Sequence, residues 1–303
     1  VVPRASLTGQ SGAELVGLSR VQLTSGGASG PLLSGNVLTG GPGMPRIEGR
    51  FERQGNGSIL ARLTMADYAA GDSRVSVPQL TLVQTRGGEI GFSGLARVSG
   101  ALPGGRIEGL VLPIDGNWSA RQGLSAWRRC MPVRFERFAV GSMSLNGQTM
   151  SLCPGRDGAI VRSDSRGTRI SAGTAALALS GRLGSTDVRI QSGAIGLAWP
   201  GALAARDINV ALAGKGEPTT LKFASVTGQL GKVMSGKFSG AEVKLNNVPL
   251  DVLDAAAAWR FADGTLTVSE GTLRVEDRQV DDQFRPLIAR DAALVLKDNR
   301  ITA

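Results

Sequence analysis

The stretch "FADGTLTVSEGTLRVEDRQVDD", residues 261–282, alternates apolar and polar residues with a period of two. That period restricts the fold more than any other feature, because it is the mark of a strand with one apolar face. Leu266 and Val268 point one way; Thr265, Thr267 and Ser269 point the other. Glu270-Gly271 reads as a turn, after which Leu273 and Val275 restart the phrase against Thr272, Arg274 and Glu276.

The alternation recurs almost everywhere. One parity holds Ile59 and Leu63 in "SILARLTMADY", Leu80 and Leu82 in "PQLTLVQ", and Leu177 and Leu179 in "AALALSGRL". It also holds Val210 and Leu212 in "INVALAGKG", Leu221 and Phe223 in "TTLKFASVTG", Val243 and Leu245 in "AEVKLNN", and Leu294 and Leu296 in "AALVLKDNRITA". The separators are turn chemistry: Gly87-Gly88, Gly104-Gly105, Asn146-Gly147, Asp157-Gly158 and Asp263-Gly264. The pattern predicts an all-β chain of roughly fifteen to twenty strands, with strand over more than half its residues. Helical text is scarce. Residues 115–131 could hold a short helix capped by Asp115 or Asn117 and interrupted by Gly123. The alanines of 249–261 favour helix but equally allow an edge strand with small side chains.

Glycine supports the same reading. The 43 glycines among 303 residues are about double the ~7% average, which suggests many tight turns and bulges. No low-complexity linker divides the chain, so residues 1–303 read as one elongated segment with a soft boundary near 154–168. Both termini lie in strand-like text, as in a fragment of a longer protein.

What the chain lacks narrows its chemistry. It has no histidine, which excludes a Ser-His-Asp triad, a Cys-His dyad, a His-ligated metal and a His general base. A carboxylate pair or a Ser-Lys dyad stays possible, yet none sits in a recognisable motif. There is no G-x-S-x-G, Walker loop or C-x-x-C, and the G-x-G triplets at 55–57 and 214–216 lie in turn-like text. The expectation is a protein that is not an enzyme and uses neither cofactor nor metal. Aromatics at 4% argue against a carbohydrate cleft, a nucleic-acid stacking platform and the girdles of an outer-membrane barrel. The net charge of +9 is scattered, with Arg128-Arg129 the only basic pair, so no nucleic-acid partner is expected. It describes a solvated positive surface or a weak attraction to anionic lipid headgroups. No apolar run approaches 18 residues.

Cys130 and Cys153 flank "MPVRFERFAVGSMSLNGQTMSL", in which Asn146-Gly147 reads as a type I′ hairpin turn. A lone pair around one small meander suggests a disulfide in an oxidising compartment, periplasmic or extracellular, contributing about 3 kcal/mol. Two unpaired cysteines filling a core are the alternative.

The text "MPVRFERFAVGSMSLNGQTMSLCPG", with G-x-L-x-V, F-R-P-L and D-N-R-I-T-A in the final sixty residues or so, resembles the YdbH-like members of the AsmA/TamB-type superfamily. The resemblance implies a long, curved, twisted and mostly antiparallel sheet, an open half-pipe with an apolar interior and one or two short helices at most. It implies phospholipid transport between inner and outer membrane through the periplasm. The implied partners are phospholipid acyl chains, an outer-membrane lipoprotein that extends the sheet, and the inner membrane through an anchor absent from this sequence. The residues collected above, with Leu266, Val268, Leu273 and Val275, would then line the lipid groove. Two other functions compete. A structural or adhesive surface or secretion protein would bury the same residues in a dry, closed core. A hydrolase would show a polar cleft with two carboxyl groups roughly 5–9.5 Å apart.

Overall fold

The computed structural model describes every residue except 11, 27–29, 103–104, 215, 232, 247, 280–282, 298–299 and 303. Gly104 of the expected Gly104-Gly105 turn, and Asp298, Asn299 and Ala303 of the closing D-N-R-I-T-A, therefore lie outside the described residues. Strand accounts for 75% of the structure, and no described residue is helical. Two units share the chain: Val1–Phe138 with Gly147–Thr149 and Gly158–Thr168, and Ala139–Asn146 with Met150–Asp157 and Arg169–Ala303.

The first unit begins as a meander. Its strands are β1 (Val2–Thr8), β2 (Glu14–Thr24), β3 (Leu32–Thr39), β4 (Ile47–Arg53), β5 (Ile59–Ala70), β6 (Ser73–Gln84), β7 (Ile90–Leu102), β8 (Gly105–Ser119) and β9 (Gly123–Ala126). Each pairs antiparallel with the next. Next come β10 (Met131–Val140) and β11 (Met143–Pro154), which contribute residues to both units, then β12 (Val161–Asp164), which pairs with β9.

The second unit repeats the plan with β13 (Gly167–Thr174), β14 (Leu177–Leu183), β15 (Thr186–Ser192), β16 (Ile195–Trp199), β17 (Gly201–Leu212), β18 (Thr219–Leu230) and β19 (Met234–Lys244). It ends with β20 (Leu250–Ala262), β21 (Thr265–Asp277), β22 (Leu287–Lys297) and β23 (Arg300–Thr302). Strands β15 and β16 are successive halves of one arm, since both pair with β17; β13 and β14 are the facing halves. Such breaks carry the strand count among the described residues to 23, above the fifteen to twenty expected.

Four local expectations are corrected. Residues 115–131 form the end of β8, a turn and β9 rather than a helix, because Gly123 (φ 71) turns the chain tightly against Ser163 and Asp164. Residues 249–261 fall largely in β20, which is neither helix nor edge: it is paired on both sides, by β19 and β21. Asn146-Gly147 runs through the middle of β11, and the turn is Gly141-Ser142, with Gly141 at φ 55. Glu270-Gly271 lies inside β21, where it makes a bulge and not a turn. Gly87-Gly88 and Asp157-Gly158 fall in turns as expected. Asp263 and Gly264, at φ 49 and 73, form the two-residue loop between Ala262 and Thr265 that a type I′ hairpin requires.

Among the described residues 13 apolar side chains are buried, and eight of them are alanines. The chain exposes 19105 Å². A compact protein of this mass would expose about 12,000 Å², and two separate compact halves about 14,500 Å². The structure spends its apolar residues on the faces of sheets and encloses few of them.

Candidate functional site

Pairing register gathers the apolar side chains into continuous rows. In the second unit Leu179, Ile190, Val210, Leu221, Val243, Val252, Val275 and Leu287 stand opposite one another in succession on eight neighbouring strands. At 4.7–4.9 Å per strand the row is about 33 Å long. A second row runs Leu197, Leu203, Gly228, Gly236, Trp259, Val268 and Leu294. Beside it Phe261, Leu266 and Leu296 are in register. The Phe223 and Phe238 rings meet edge to face, 5.6 Å between centroids, on this same face. In the first unit the row is Leu18, Val37, Gly49, Leu63, Leu80, Gly94 and Ile114. Its neighbour is Gly35, Phe51, Ala61, Leu82, Phe92, Gly116 and Ala126.

A period of two alone would not keep these rows on one face. In β21 the apolar residues switch from even positions (Leu266, Val268) to odd ones (Leu273, Val275), which in a regular strand would send them to opposite sides. Glu270, at φ 54, supplies the one extra residue that restores the face. Asp207 in β17, Gly240 in β19, Asp254 in β20 and Asp291 in β22 adopt the same left-handed conformation and make the same correction. These positions lie side by side across the sheet. The four acidic side chains among them are exposed, and Asp254 pairs with Arg274 at 3.1 Å. On the apolar side of the same line the residues are small and buried: Ala205, Ala241, Ala255 and Ala257. Each strand thus bends at its bulge, with alanines in the bend and Leu, Val, Phe and Trp along the arms.

Aromatic rings lie against cross-strand glycines. A β-carbon on Gly35 would stand 3.0 Å from the Phe51 ring, one on Gly116 2.6 Å from Phe92, and one on Gly228 2.6 Å from Trp259. The glycine makes room for the ring and the ring covers the bared backbone, so the apolar surface stays low in relief.

Seventeen of the eighteen candidate residues are half-buried and none is buried; Leu245, just past β19, is exposed at 39%. Ile59 stands apart, flanked in register by Arg53 and Gln84, at the margin of the apolar rows. Leu177 and Leu212 pair with Ser192 and Val188. Sequence reading missed Phe51, Phe92, Ile114, Ile190, Val252, Trp259 and Leu287, although the same alternation marks them. On the polar face, Asp251 is held by Arg278 at 3.1 Å and Lys244 at 3.6 Å, and Arg278 also donates to the carbonyl of Val248 at 2.7 Å. Both cysteines are disulfide-bonded, so Cys130 and Cys153 are partners.

Among the described residues no group of His, Cys, Asp or Glu could hold a metal ion, and no helix is long and apolar enough to cross a membrane. An apolar strip with no reactive constellation can hold hydrocarbon, and its means of doing so is dispersion and exclusion of water. No curated protein and no solved structure matches the chain. The family model described as "Intermembrane phospholipid transport protein YdbH" matches residues 1–303. The chain belongs to the YdbH-like family, whose proteins transport phospholipid between membranes.

Proposed function

We propose that residues 1–303 are a periplasmic segment of the transport path, in which the apolar face of each unit is the wall of an open groove carrying phospholipid acyl chains. The observation that carries this reading is the eight-strand row from Leu179 to Leu287, whose candidate residues are half-buried rather than enclosed. A row about 33 Å long, with no charged residue in it, matches what an acyl chain needs and a headgroup does not. The headgroup stays in water at the open side. The transport path is anchored to the inner membrane, and an outer-membrane lipoprotein extends the sheet toward the far side. Catalysis has no part in this account, which agrees with a family of transporters.

Native mass spectrometry of the protein expressed in bacteria and released gently from its cells tests the reading. Phospholipid adducts that survive desalting and disappear after delipidation are expected. A protein of bare mass under the same conditions, with its fold intact by circular dichroism, would contradict it.

A further inference from the structure

The polar face of the first unit carries a recess of about 400 Å³ lined by three exposed arginines, Arg74, Arg97 and Arg134. Arg74 stands opposite Ser99, and Arg97 opposite Ser76. The two arginines are therefore diagonal neighbours on β6 and β7, with β-carbons roughly 7–8 Å apart. Arg134 enters from β10. Between them, on β8, Gly109 at φ 60 has no side chain, and the Glu136 carboxyl group occupies the space that a β-carbon there would fill.

The Gly109 N–H donates to the Ser99 hydroxyl oxygen at 2.9 Å, which leaves the Ser99 O–H free to donate into the recess. Asp67 and Glu136 also line it. Among the described residues none of the three guanidinium groups is within ion-pair distance of a carboxylate. Like charges gathered on neighbouring strands repel one another, and two carboxylates in the lining do not balance three guanidinium groups. The cations are also of one kind: all 17 basic residues of this unit are arginine and none is lysine. Arginine presents a planar fork of N–H donors matched to two oxygens of a phosphate.

We propose that this recess binds a phosphate ester, with the phosphate held by Arg74, Arg97 and Arg134 and an ammonium group of the same ligand held by Asp67 and Glu136. Three cations against two carboxylates favour such a ligand over a bare polyanion. The shared chemistry is that of phosphoethanolamine, free or as the headgroup of a bilayer lipid. The site lies on the face opposite the apolar rows, so it stands or falls independently of the groove.

Calorimetric titration with O-phosphoethanolamine, and co-sedimentation with phosphatidylethanolamine vesicles against phosphatidylcholine vesicles, separate the two sources. Saturable binding of the soluble ester assigns a free ligand; binding to the first vesicles alone assigns a headgroup. In either case Arg97→Gln and Arg134→Gln should each weaken binding about tenfold, with unchanged circular dichroism. Arg260→Gln, an exposed arginine of the second unit, should leave it unaltered. Absence of saturable binding to both probes overturns the proposal, as does an equal loss in Arg260→Gln.

Discussion

An aspartate at Leu273 distinguishes an open apolar face from an ordinary core. Leu273 stands opposite Ala289 on β22 and is half-buried. Full burial of a leucine is worth about 1.5–3 kcal/mol, so a half-buried one forfeits about 1 kcal/mol when replaced. The new carboxylate keeps access to water in the empty protein and adds little to that cost. Leu273→Asp should therefore fold, with a loss of about 1–2 kcal/mol and a melting temperature lower by a few degrees. Ala241→Asp is the contrast. Ala241 is 2% exposed, with Phe223 and Ala255 opposite it on the neighbouring strands. There an aspartate buries an unpaired charge with no room for it, at a cost of about 4 kcal/mol or more.

With acyl chains on the face the order of severity changes. A charge at position 273 then lies among hydrocarbon and costs several kcal/mol, so lipid occupancy should fall sharply in a protein that remains folded. Urea denaturation gives the stabilities, and phospholipid extraction from the purified variants gives the occupancy. Unfolding of Leu273→Asp to the same extent as Ala241→Asp would refute the reasoning, because it would mean that position 273 is enclosed.

Two further outcomes follow from the geometry. The Cys130→Ser, Cys153→Ser double variant should remain folded but lose about 3 kcal/mol of stability in denaturant titration, and wild-type protein unfolded without reductant should show no titratable thiol. A β-carbon on Gly49 would overlap the Arg62 carbonyl oxygen, whereas one on Gly91 would meet nothing closer than 3.9 Å. Gly49→Ala should therefore cost at least about 1–3 kcal/mol through forced backbone movement, and Gly91→Ala should be close to neutral in the same melts.

The all-β class and the apolar parity within each half-strand were legible because burial of one sheet face imposes a period of two. Breaks in that period were not. Glu270-Gly271 has turn composition, yet β20 and β22 both stay paired with β21 beyond it, and those ladders hold the chain extended through a bulge. A change from even to odd apolar positions was the available signal, visible at 268 and 273 and again at 252 and 255. Asn146-Gly147 is as strong a local turn signal as any pair in the chain, and it lost to tertiary pairing: Leu145 is in register with Gly181. The alanines of β20 were misleading for a related reason. Their helix preference is a few tenths of a kcal/mol per residue, whereas the bend needs small side chains at 255 and 257 and supplies two neighbouring ladders. The polar recess was out of reach altogether, because its arginines come from strands whose adjacency only the topology provides.

The central claim is that acyl chains travel along the apolar rows, and site-specific photo-crosslinking in living cells tests it most directly. A photoreactive residue at position 266 or 273 lies on the apolar face, and one at 267 or 274 lies on the other, where Arg274 meets Asp254 and Glu276. The account predicts phospholipid crosslinks from positions 266 and 273 and none from 267 and 274. Equal labelling from both faces, or none from either, would contradict it.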